Sequence, residues 1–194
     1  MAANLILASQ SPRRSNLLGQ VLEGTGITFR TMPAHVDETP LKRETPLAYV
    51  QRIAKAKALK MAKENPGSIV LAADTPVIVG RSIMQTPATV DEARAMLVAQ
   101  SGRRVHIPTA VVAVDAQGRV HPKLCRSWVK YAVLTKRDID DWLNHPDRWQ
   151  VSGAMQIESA TGQSLITTMH GSLSGILGLP LYETRLLLMR CNLF

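Results

Sequence analysis

The sequence has little cysteine, few aromatic residues and no long apolar run. Neither Cys125 nor Cys191 has histidine or acidic neighbours at metal-ligand spacing, which argues against a zinc site and fits a reducing cytoplasm. Aromatic residues make up 4% of the chain, too few for the base-stacking surface of a single-strand binder. The first residues do not resemble a signal peptide, so we expect a cytoplasmic protein without a membrane span.

Acidic residues are also in the minority, with 15 Asp and Glu against 23 Lys and Arg and a formal net charge of +8. This surplus favours polyanionic partners, either nucleic acid or phosphorylated small molecules, although a basic chain need have no particular partner. A nucleic-acid-binding module rests on the charge alone and is the least favoured class. At 194 residues, the chain is long enough for one domain or for one domain with two lobes.

Strand-like and helix-like patterns alternate along the chain, which predicts an α/β fold. Each of three predicted helices in the first half begins after a residue that can serve as its N-cap. The second half has two predicted hairpins, one around DAQGR and one with ESATGQ as its turn. The predicted strands are 4–8, 27–32, 69–73, 104–114 and 124–134, with GAMQI and SLITTM in the second hairpin; the N-caps are Ser11, Thr45 and Thr89, the last in a capping box with Glu92, and a C-terminal helix begins at Pro180.

An aspartate, Asp74, interrupts the apolar run IVLAADTPVIVG at residues 69–80. The Ile, Val, Leu and Ala residues before it are typical of a strand buried on both faces. A carboxylate in such a place either takes up a proton or needs a cation, a metal or hydrogen-bond donors beside it. Asp74 is therefore a candidate site residue; the alternative is that Asp74 and Thr75 cap a turn before an edge strand.

Two arginines, Arg13 and Arg14, occupy the predicted first turn of the first helix, where the helix dipole disfavours cations by about 0.3–1 kcal/mol. With the hydroxyls of Ser9 and Ser11 and the unpaired backbone N–H groups, they form a pattern typical of a phosphate-binding loop. The alternative is an exposed arginine pair that tolerates the dipole.

A lysine, Lys57, lies at the centre of the apolar stripe predicted for the second helix. Such a lysine either extends to the edge of the core or faces a site that requires its charge. Asp37 and Glu38 precede this helix in a loop. Carboxylates in a loop can hold Mg²⁺ through their oxygens, although most are simply solvated.

Five segments together carry a resemblance over almost the whole chain: LILASQSPRRSNLL, VDETPLKRETPLAYVQRIAKAKA, LAADTPVIVG, EARAMLVAQSGR and GLPLYET. In this order and spacing they resemble the Maf family of septum-formation-inhibitor-like proteins, which are nucleoside triphosphate pyrophosphatases. The resemblance implies a two-lobed α/β fold, related to that of inosine triphosphate pyrophosphatases, with an elongated mixed sheet and a central cleft. It also implies hydrolysis of an NTP to the monophosphate and pyrophosphate by a homodimer that uses Mg²⁺ or Mn²⁺.

The resemblance also assigns roles to matching positions. Asp74 matches the aspartate that serves as proton acceptor, and it would orient a water or hold the metal together with Glu38. Phosphoryl chemistry requires such positioning and cations that neutralise developing charge. The other matches are Ser9, Arg13 and Arg14 of the S-x-S-P-R-R phosphate-binding loop, Lys57 of the helix after D-E-T-P, and Thr75.

Two charged positions of the family pattern are absent from this chain. Where the family typically has G-K-P-x-D, the sequence reads Q-T-P-A-T, with Thr86 and Thr89 in place of the lysine and the aspartate. Losing a charged phosphate contact commonly lowers a rate by on the order of 100-fold. A nucleotide-binding protein with weak turnover is therefore the alternative function, unless a basic residue such as Arg81 substitutes.

The sequence leaves the base preference open. By resemblance, members that prefer dTTP and UTP share an arginine, a threonine and a glutamine, and this chain keeps Arg13 and Thr75. At the glutamine position it has Glu158, as do members that act on 7-methyl-GTP, because a carboxylate accepts hydrogen bonds from guanine. Gln156 would share the strand face of Glu158 and is a second candidate base contact.

Overall fold

The structure, a computed structural model, describes residues 4–194 and divides them into two compact units. The α/β class predicted from the sequence is confirmed, whereas the single-domain organisation stays a prediction. Within residues 4–194, none of the helices combines the length and the apolar composition that a membrane span requires. The first unit comprises 4–75, Thr109–Cys125 and Ser172–Phe194, and the second comprises Pro76–Pro108 and Arg126–Gly171.

Helices and strands alternate through most of the described chain. A short 3₁₀ turn at Ser152–Ala154 lies between α5 and α6 of the following series. In chain order, the elements are β1 (Leu5–Leu7), α1 (Pro12–Leu22), β2 (Phe29–Thr31), α2 (Pro46–Glu64), β3 (Ile69–Asp74), β4 (Val77–Val79), β5 (Ser82–Met84), α3 (Val90–Gln100), β6 (Arg104–His106), β7 (Thr109–Val114), β8 (Val120–Cys125), β9 (Trp128–Tyr131), α4 (Lys136–Leu143), α5 (Pro146–Trp149), α6 (Ala160–Ser164), β10 (Ile166–His170), α7 (Leu173–Ile176) and α8 (Leu181–Arg190).

The first unit contains a five-stranded mixed sheet with the strand order β2-β1-β3-β7-β8. Strand β1 pairs in parallel with β2 and with β3, and these two parallel connections run through α1 and α2. The remaining pairs, β3 with β7 and β7 with β8, are antiparallel. Both crossover helices begin as predicted, because the hydroxyls of Ser11 and Thr45 accept hydrogen bonds from backbone N–H groups in the first turn.

Alternation along β3 separates the two faces of this sheet. Leu71 and Ala73 belong to the apolar core formed with α1 and α8. Because successive side chains of a strand point to opposite faces, Ala72 and Asp74 face the other side, where α2 packs against β3. The side chain of the next residue, Thr75, points to the same face as α1. Asp74 at the end of β3 and Thr75 directly after it therefore have side chains on opposite faces of the sheet.

The second unit contains a five-stranded antiparallel sheet with the order β10-β9-β6-β4-β5. The hydroxyl of Thr89 caps α3 by accepting a hydrogen bond from the N–H of Glu92, as predicted. The predicted capping box is incomplete, since the Glu92 carboxylate accepts from the N–H of Ala88 instead of Thr89.

Two strand predictions in the second half of the chain are wrong. The run 104–114 breaks into β6 and β7, which lie in different sheets, and Pro108 at the break cannot donate to a strand ladder. The run 124–134 divides in the same way into the end of β8 and β9. The hairpin around DAQGR is confirmed, but only between β7 and β8.

The predicted hairpin between GAMQI and SLITTM is also wrong. Gly153 and Ala154 have φ values of +74° and +58°, which an extended strand does not allow. The segment 160–164 forms α6, and β10 is the strand that remains of the predicted pair. Gln156 and Glu158 therefore lie in an irregular segment, and the argument that they share a strand face fails.

Candidate active site

The carboxyl ends of β1, β2 and β3 meet at one edge of the first sheet, because these strands are parallel neighbours. In open α/β sheets this edge is where ligands bind. The segments that follow β1 and β2 line a pocket of about 210 Å³, together with side chains of the loop before α2 and of α2 itself. Its lining residues are Ala8, Ser9, Gln10, Ser11, Arg14, Pro33, Ala34, His35, Glu38 and Lys57.

The loop after β1 is held in place by its own serines. The hydroxyl of Ser9, which is buried, accepts a hydrogen bond from the N–H of Ser11 at 3.1 Å. The hydroxyl of Ser11 in turn accepts from the N–H of Arg14 at 3.4 Å and caps α1. Arg13 is exposed and Arg14 is partly buried in this first turn. The helix dipole and the arginines together produce the positive potential expected of an anion-binding loop.

The guanidinium of Arg14 is fixed by two neutral oxygens. Its Nε donates to the carbonyl of Gly178 at 3.0 Å, and its Nη2 donates to the hydroxyl of Thr75 at 3.4 Å. Burial lowers the pKa of Arg14, and the opposing charge of Asp74 only partly offsets this effect. Arginine remains charged in proteins, so a partly desolvated cation faces the pocket without a carboxylate at either of these contacts.

The side chains of Lys57, Asp74 and Glu38 form a compact ionic cluster. The Nζ of Lys57 lies 2.9 Å from Oδ1 of Asp74 and 2.8 Å from Oε1 of Glu38. The side chains of Lys57 and Asp74 are 11% and 12% exposed, whereas that of Glu38 is 49% exposed. Lys57 reaches this position because the face of α2 that contacts the sheet carries it toward the end of β3. The structure thus brings together three residues predicted separately.

Burial raises the pKa of Asp74, despite the nearby charges of Lys57 and Arg14, which act in the opposite direction. Asp74 is the last residue of β3 and is 8% exposed. The alternative interpretation, in which Asp74 caps a turn after the strand, is therefore wrong. A carboxylate with a raised pKa beside two cations is typical of functional sites.

The loop that carries Glu38 is tied to α2 by contacts that sequence analysis missed. The Glu44 carboxylate receives two hydrogen bonds of 2.7 Å from Arg52, and Arg52 also donates to the carbonyl of Thr39. Asp37 accepts a hydrogen bond from the N–H of Thr39 at 2.9 Å, which closes a local turn. Of the two adjacent acids, only Glu38 has an ion pair with Lys57.

The remaining predicted positions lie in the second unit. Thr86 is exposed in a loop, Thr89 caps α3, and Arg81 is exposed in the turn between β4 and β5. Gln156 and Glu158 are partly buried in the irregular segment before α6. Their predicted contacts with a nucleotide base stay a prediction.

The carboxylates of Asp74 and Glu38 are the candidate metal ligands. Residues 4–194 contain no cluster of three or more His, Cys, Asp or Glu side chains that could hold a metal. A pair of carboxylates is nevertheless sufficient for Mg²⁺, which commonly binds one or two protein carboxylates, waters and substrate phosphates. The ammonium of Lys57 contacts both carboxylates, so Asp74 and Glu38 already bind one cation together. This donor set fits a divalent cation that is also bound by a substrate phosphate.

A mixed sheet with a basic loop after its first strand and a buried acid at the end of a neighbouring strand defines an α/β protein built to bind phosphates. The model of the family described as Maf-like protein matches residues 4–191, and the chain therefore belongs to the Maf-like family.

Individual relatives agree over nearly the full length. The chain is 38% identical over 185 residues to a dTTP/UTP pyrophosphatase of Sphingopyxis alaskensis, covering 95% of this chain and 94% of that protein. It is 39% identical over 193 residues to a dTTP/UTP pyrophosphatase of Zymomonas mobilis, covering 99% and 93%. Among solved structures, a HAM1 protein from Coxiella burnetii has a TM-score of 0.50 at 16% identity, covering 97% of this chain and 99% of that one, which indicates a shared fold.

Proposed function

We propose that this protein is a nucleoside triphosphate pyrophosphatase that hydrolyses dTTP and UTP to the monophosphate and pyrophosphate. The observation that carries the proposal is the cluster of Lys57, Asp74 and Glu38 beside the basic loop after β1. Membership of the Maf-like family and the names of the relatives support the reaction and the pyrimidine substrates.

In this proposal the cations hold the phosphates. Arg14 and Lys57 line one pocket and place positive charge where a triphosphate would lie, and Arg13 adds charge at the exposed side of the same turn. Such groups stabilise the charge that develops on phosphate oxygens when the anhydride bond breaks. The α/β anhydride of the nucleotide is cleaved, with pyrophosphate as leaving group.

Asp74 is proposed to accept the proton of the attacking water. Its burial raises its pKa, and a base whose pKa lies closer to the working pH is more effective. The water oxygen forms a new bond to the α-phosphorus, the P–O bond that joins this phosphorus to the bridging oxygen breaks, and its electron pair leaves with the pyrophosphate. The proton taken up by Asp74 then passes to solvent.

Asp74 and Glu38 are the residues that would hold Mg²⁺ or Mn²⁺. When bound, a divalent cation neutralises charge on the phosphate oxygens and helps to activate water. A triphosphate would offer Lys57 new anionic partners, so the two carboxylates need not remain paired with it. The family resemblance further suggests a cytoplasmic homodimer, which light scattering after size-exclusion chromatography would test.

The proposal is tested by incubating the purified protein with dTTP, UTP, CTP, ATP, GTP and 7-methyl-GTP and measuring pyrophosphate release. Parallel series contain Mg²⁺, Mn²⁺ or a chelator. We expect dTTP and UTP to give the highest kcat/KM and the chelator to abolish release. A higher kcat/KM for 7-methyl-GTP than for dTTP and UTP would contradict the proposed pyrimidine substrates. It would agree with Glu158, since members that act on 7-methyl-GTP have a glutamate at this position.

A second candidate function is nucleotide binding without significant turnover. It is favoured by Thr86 and Thr89, which stand where the family pattern has a lysine and an aspartate. Calorimetric titration with dTTP separates the two functions. Binding with a measurable Kd but no pyrophosphate release with any NTP would establish the second function and overturn the first.

A further inference from the structure

A series of hydrogen bonds connects Arg14, in the first turn of α1, to the backbone of α7. Arg14 Nη2 donates to Thr75 Oγ1 at 3.4 Å, and Thr75 Oγ1 lies 2.9 Å from Thr109 Oγ1. Thr109 Oγ1 then donates to the carbonyl of Gly175, at the end of α7, at 2.7 Å. Thr109 begins β7, is fully buried and was not singled out in the sequence analysis.

The direction of every bond in this series is determined by chemistry. A hydroxyl has one proton, and a carbonyl can only accept, so the Thr109 proton is committed to Gly175. The proton in the bond between the two threonines must therefore come from Thr75. Thr75 is left with only its lone pairs toward Arg14, whose guanidinium can only donate. These three bonds together leave Thr75 Oγ1 as a hydrogen-bond acceptor for Arg14.

The second hydrogen bond of Arg14 reinforces the same orientation. Its Nε donates to the carbonyl of Gly178, three residues beyond Gly175. Gly178 has a φ of +115°, and a Cβ on it would lie 3.2 Å from Arg14 Nε. The backbone around α7 therefore lies close to Arg14. Its carbonyls at Gly178 and Gly175 accept hydrogen bonds from Arg14 and Thr109, the two ends of the hydrogen-bonded series.

We infer that Thr109 is a positioning residue for Arg14: acting through Thr75, its hydroxyl sets the orientation of the guanidinium toward the phosphates. This inference rests on the proposed function, in which Arg14 holds the triphosphate. Register explains why Thr109 can act at a distance. Asp74 pairs with Ala110 across β3 and β7, so Thr75 and Thr109 are the next residues outward and share the face of the sheet toward α1.

The test compares three substitutions of buried threonines. Thr109→Val removes the hydroxyl but keeps the branched shape, and Thr109→Ser keeps the hydroxyl. Thr184→Val is the matched control, because Thr184 is also fully buried in the first unit and its hydroxyl has no hydrogen-bond partner within residues 4–194. Melting temperature, kcat and KM for dTTP are measured for each variant.

We expect Thr109→Val to lower kcat/KM about tenfold, the equivalent of one hydrogen bond to a charged group, mainly through a higher KM. Thr109→Ser and Thr184→Val should remain within about twofold of the wild type. In an Arg14→Ala background, Thr109→Val should have almost no further effect on kcat/KM, because the residue that it positions is gone. Additive losses would indicate a packing role and overturn the inference.

Failure of the inference and failure of the proposed function give different results. If the wild type releases pyrophosphate and Thr109→Val matches it, the positioning role is overturned and the function stands. If the wild type binds dTTP but releases no pyrophosphate, the function fails. The same variants are then ranked by calorimetric Kd, and Thr109→Val must bind about tenfold more weakly. Absence of dTTP binding by the wild type would overturn both.

Discussion

Two buried aspartates of the first unit have surroundings that change their pKa values in opposite directions. Asp74 ends β3, where burial raises its pKa against the opposing charges of Lys57 and Arg14. Asp115 follows β7 at the start of the hairpin turn, where burial is outweighed by hydrogen bonds and its pKa is lowered to about 2.

The difference lies in the donors around each carboxylate. Asp115 accepts hydrogen bonds from the backbone N–H groups of Gln117 and Arg119 and from the side chain of Arg119, and it contacts His121 Nε2 at 3.1 Å. Most of these donors belong to its own turn, so the carboxylate stabilises the hairpin. Within residues 4–194, the carboxylate of Asp74 accepts one hydrogen bond, from the ammonium of Lys57. A carboxylate that is buried but incompletely compensated is suited to exchanging partners with a ligand.

The comparison predicts the largest effect for Asp74→Asn. Removing a general base commonly lowers a rate by about 10²–10⁴-fold, so we expect a loss of this size in kcat for dTTP. Because the folded-state pKa of Asp74 is raised, its stabilising contribution is present below the unfolded pKa and is lost as the pH rises through the folded value. At pH 7 the variant should therefore melt at the same temperature as the wild type or higher. Normal turnover would contradict the role of Asp74.

The next largest effect is expected for Lys57→Met, which removes the ammonium and retains an apolar stem of similar length. The affinity for dTTP should fall by about 10–100-fold, because a charge-assisted contact to the phosphates is lost. The affinity for dTMP should change less. Lys55→Met is the matched control on the exposed side of α2 and should bind both nucleotides as the wild type does. Equal losses for dTTP and dTMP would indicate that Lys57 only contributes to packing.

For Asp115→Asn, we expect a change in stability and little change in activity. The lowered pKa corresponds to roughly 2 kcal/mol of stability at pH 7. Since the unfolded state binds more protons, this contribution is present above pH about 4 and is lost as the pH falls toward about 2. Urea unfolding at several pH values would test the prediction. The difference between variant and wild type should be large at neutral pH and vanish near pH 2; a constant difference would disprove the assigned cause.

Among the three residues of the ionic cluster, Glu38→Gln should have the smallest effect on activity, because the Glu38 side chain is half exposed and water can replace part of its role. The concentration of Mn²⁺ required for half-maximal activity should rise several-fold to tenfold. Binding of Mn²⁺ in the presence of dTTP, followed by electron paramagnetic resonance, should weaken in parallel. Asp37→Asn is the control, since Asp37 closes a turn with Thr39, and its metal dependence should match that of the wild type.

The main elements of the site could be predicted because local rules act on them. Serine and threonine before proline predicted the starts of α1 and α2, and the apolar run before Asp74 predicted a buried strand end. The helical period placed Lys57 toward the core. The sequence did not reveal that Lys57 would reach both Asp74 and Glu38, because that contact depends on how α2 lies across β3.

Other features depend on long-range pairing and were missed. Thr109 looked like one more residue of an apolar strand, and its role appears only through the register of β3 and β7. The false hairpin near Gln156 was predicted from the turn-like segment ESATGQ between GAMQI and SLITTM, whereas Gly153 and Ala154 adopt positive φ values. Signals of periodicity do not report a single residue in the left-handed region.

Phosphorus-31 NMR of a reaction with dTTP and Mg²⁺ shows whether Asp74 drives cleavage of the α/β anhydride, because it identifies every phosphate product at once. We expect dTMP and pyrophosphate to appear in equal amounts with the wild type and neither to accumulate at a comparable rate with Asp74→Asn. Formation of dTDP and orthophosphate, or products at an unchanged rate from the variant, would contradict this expectation.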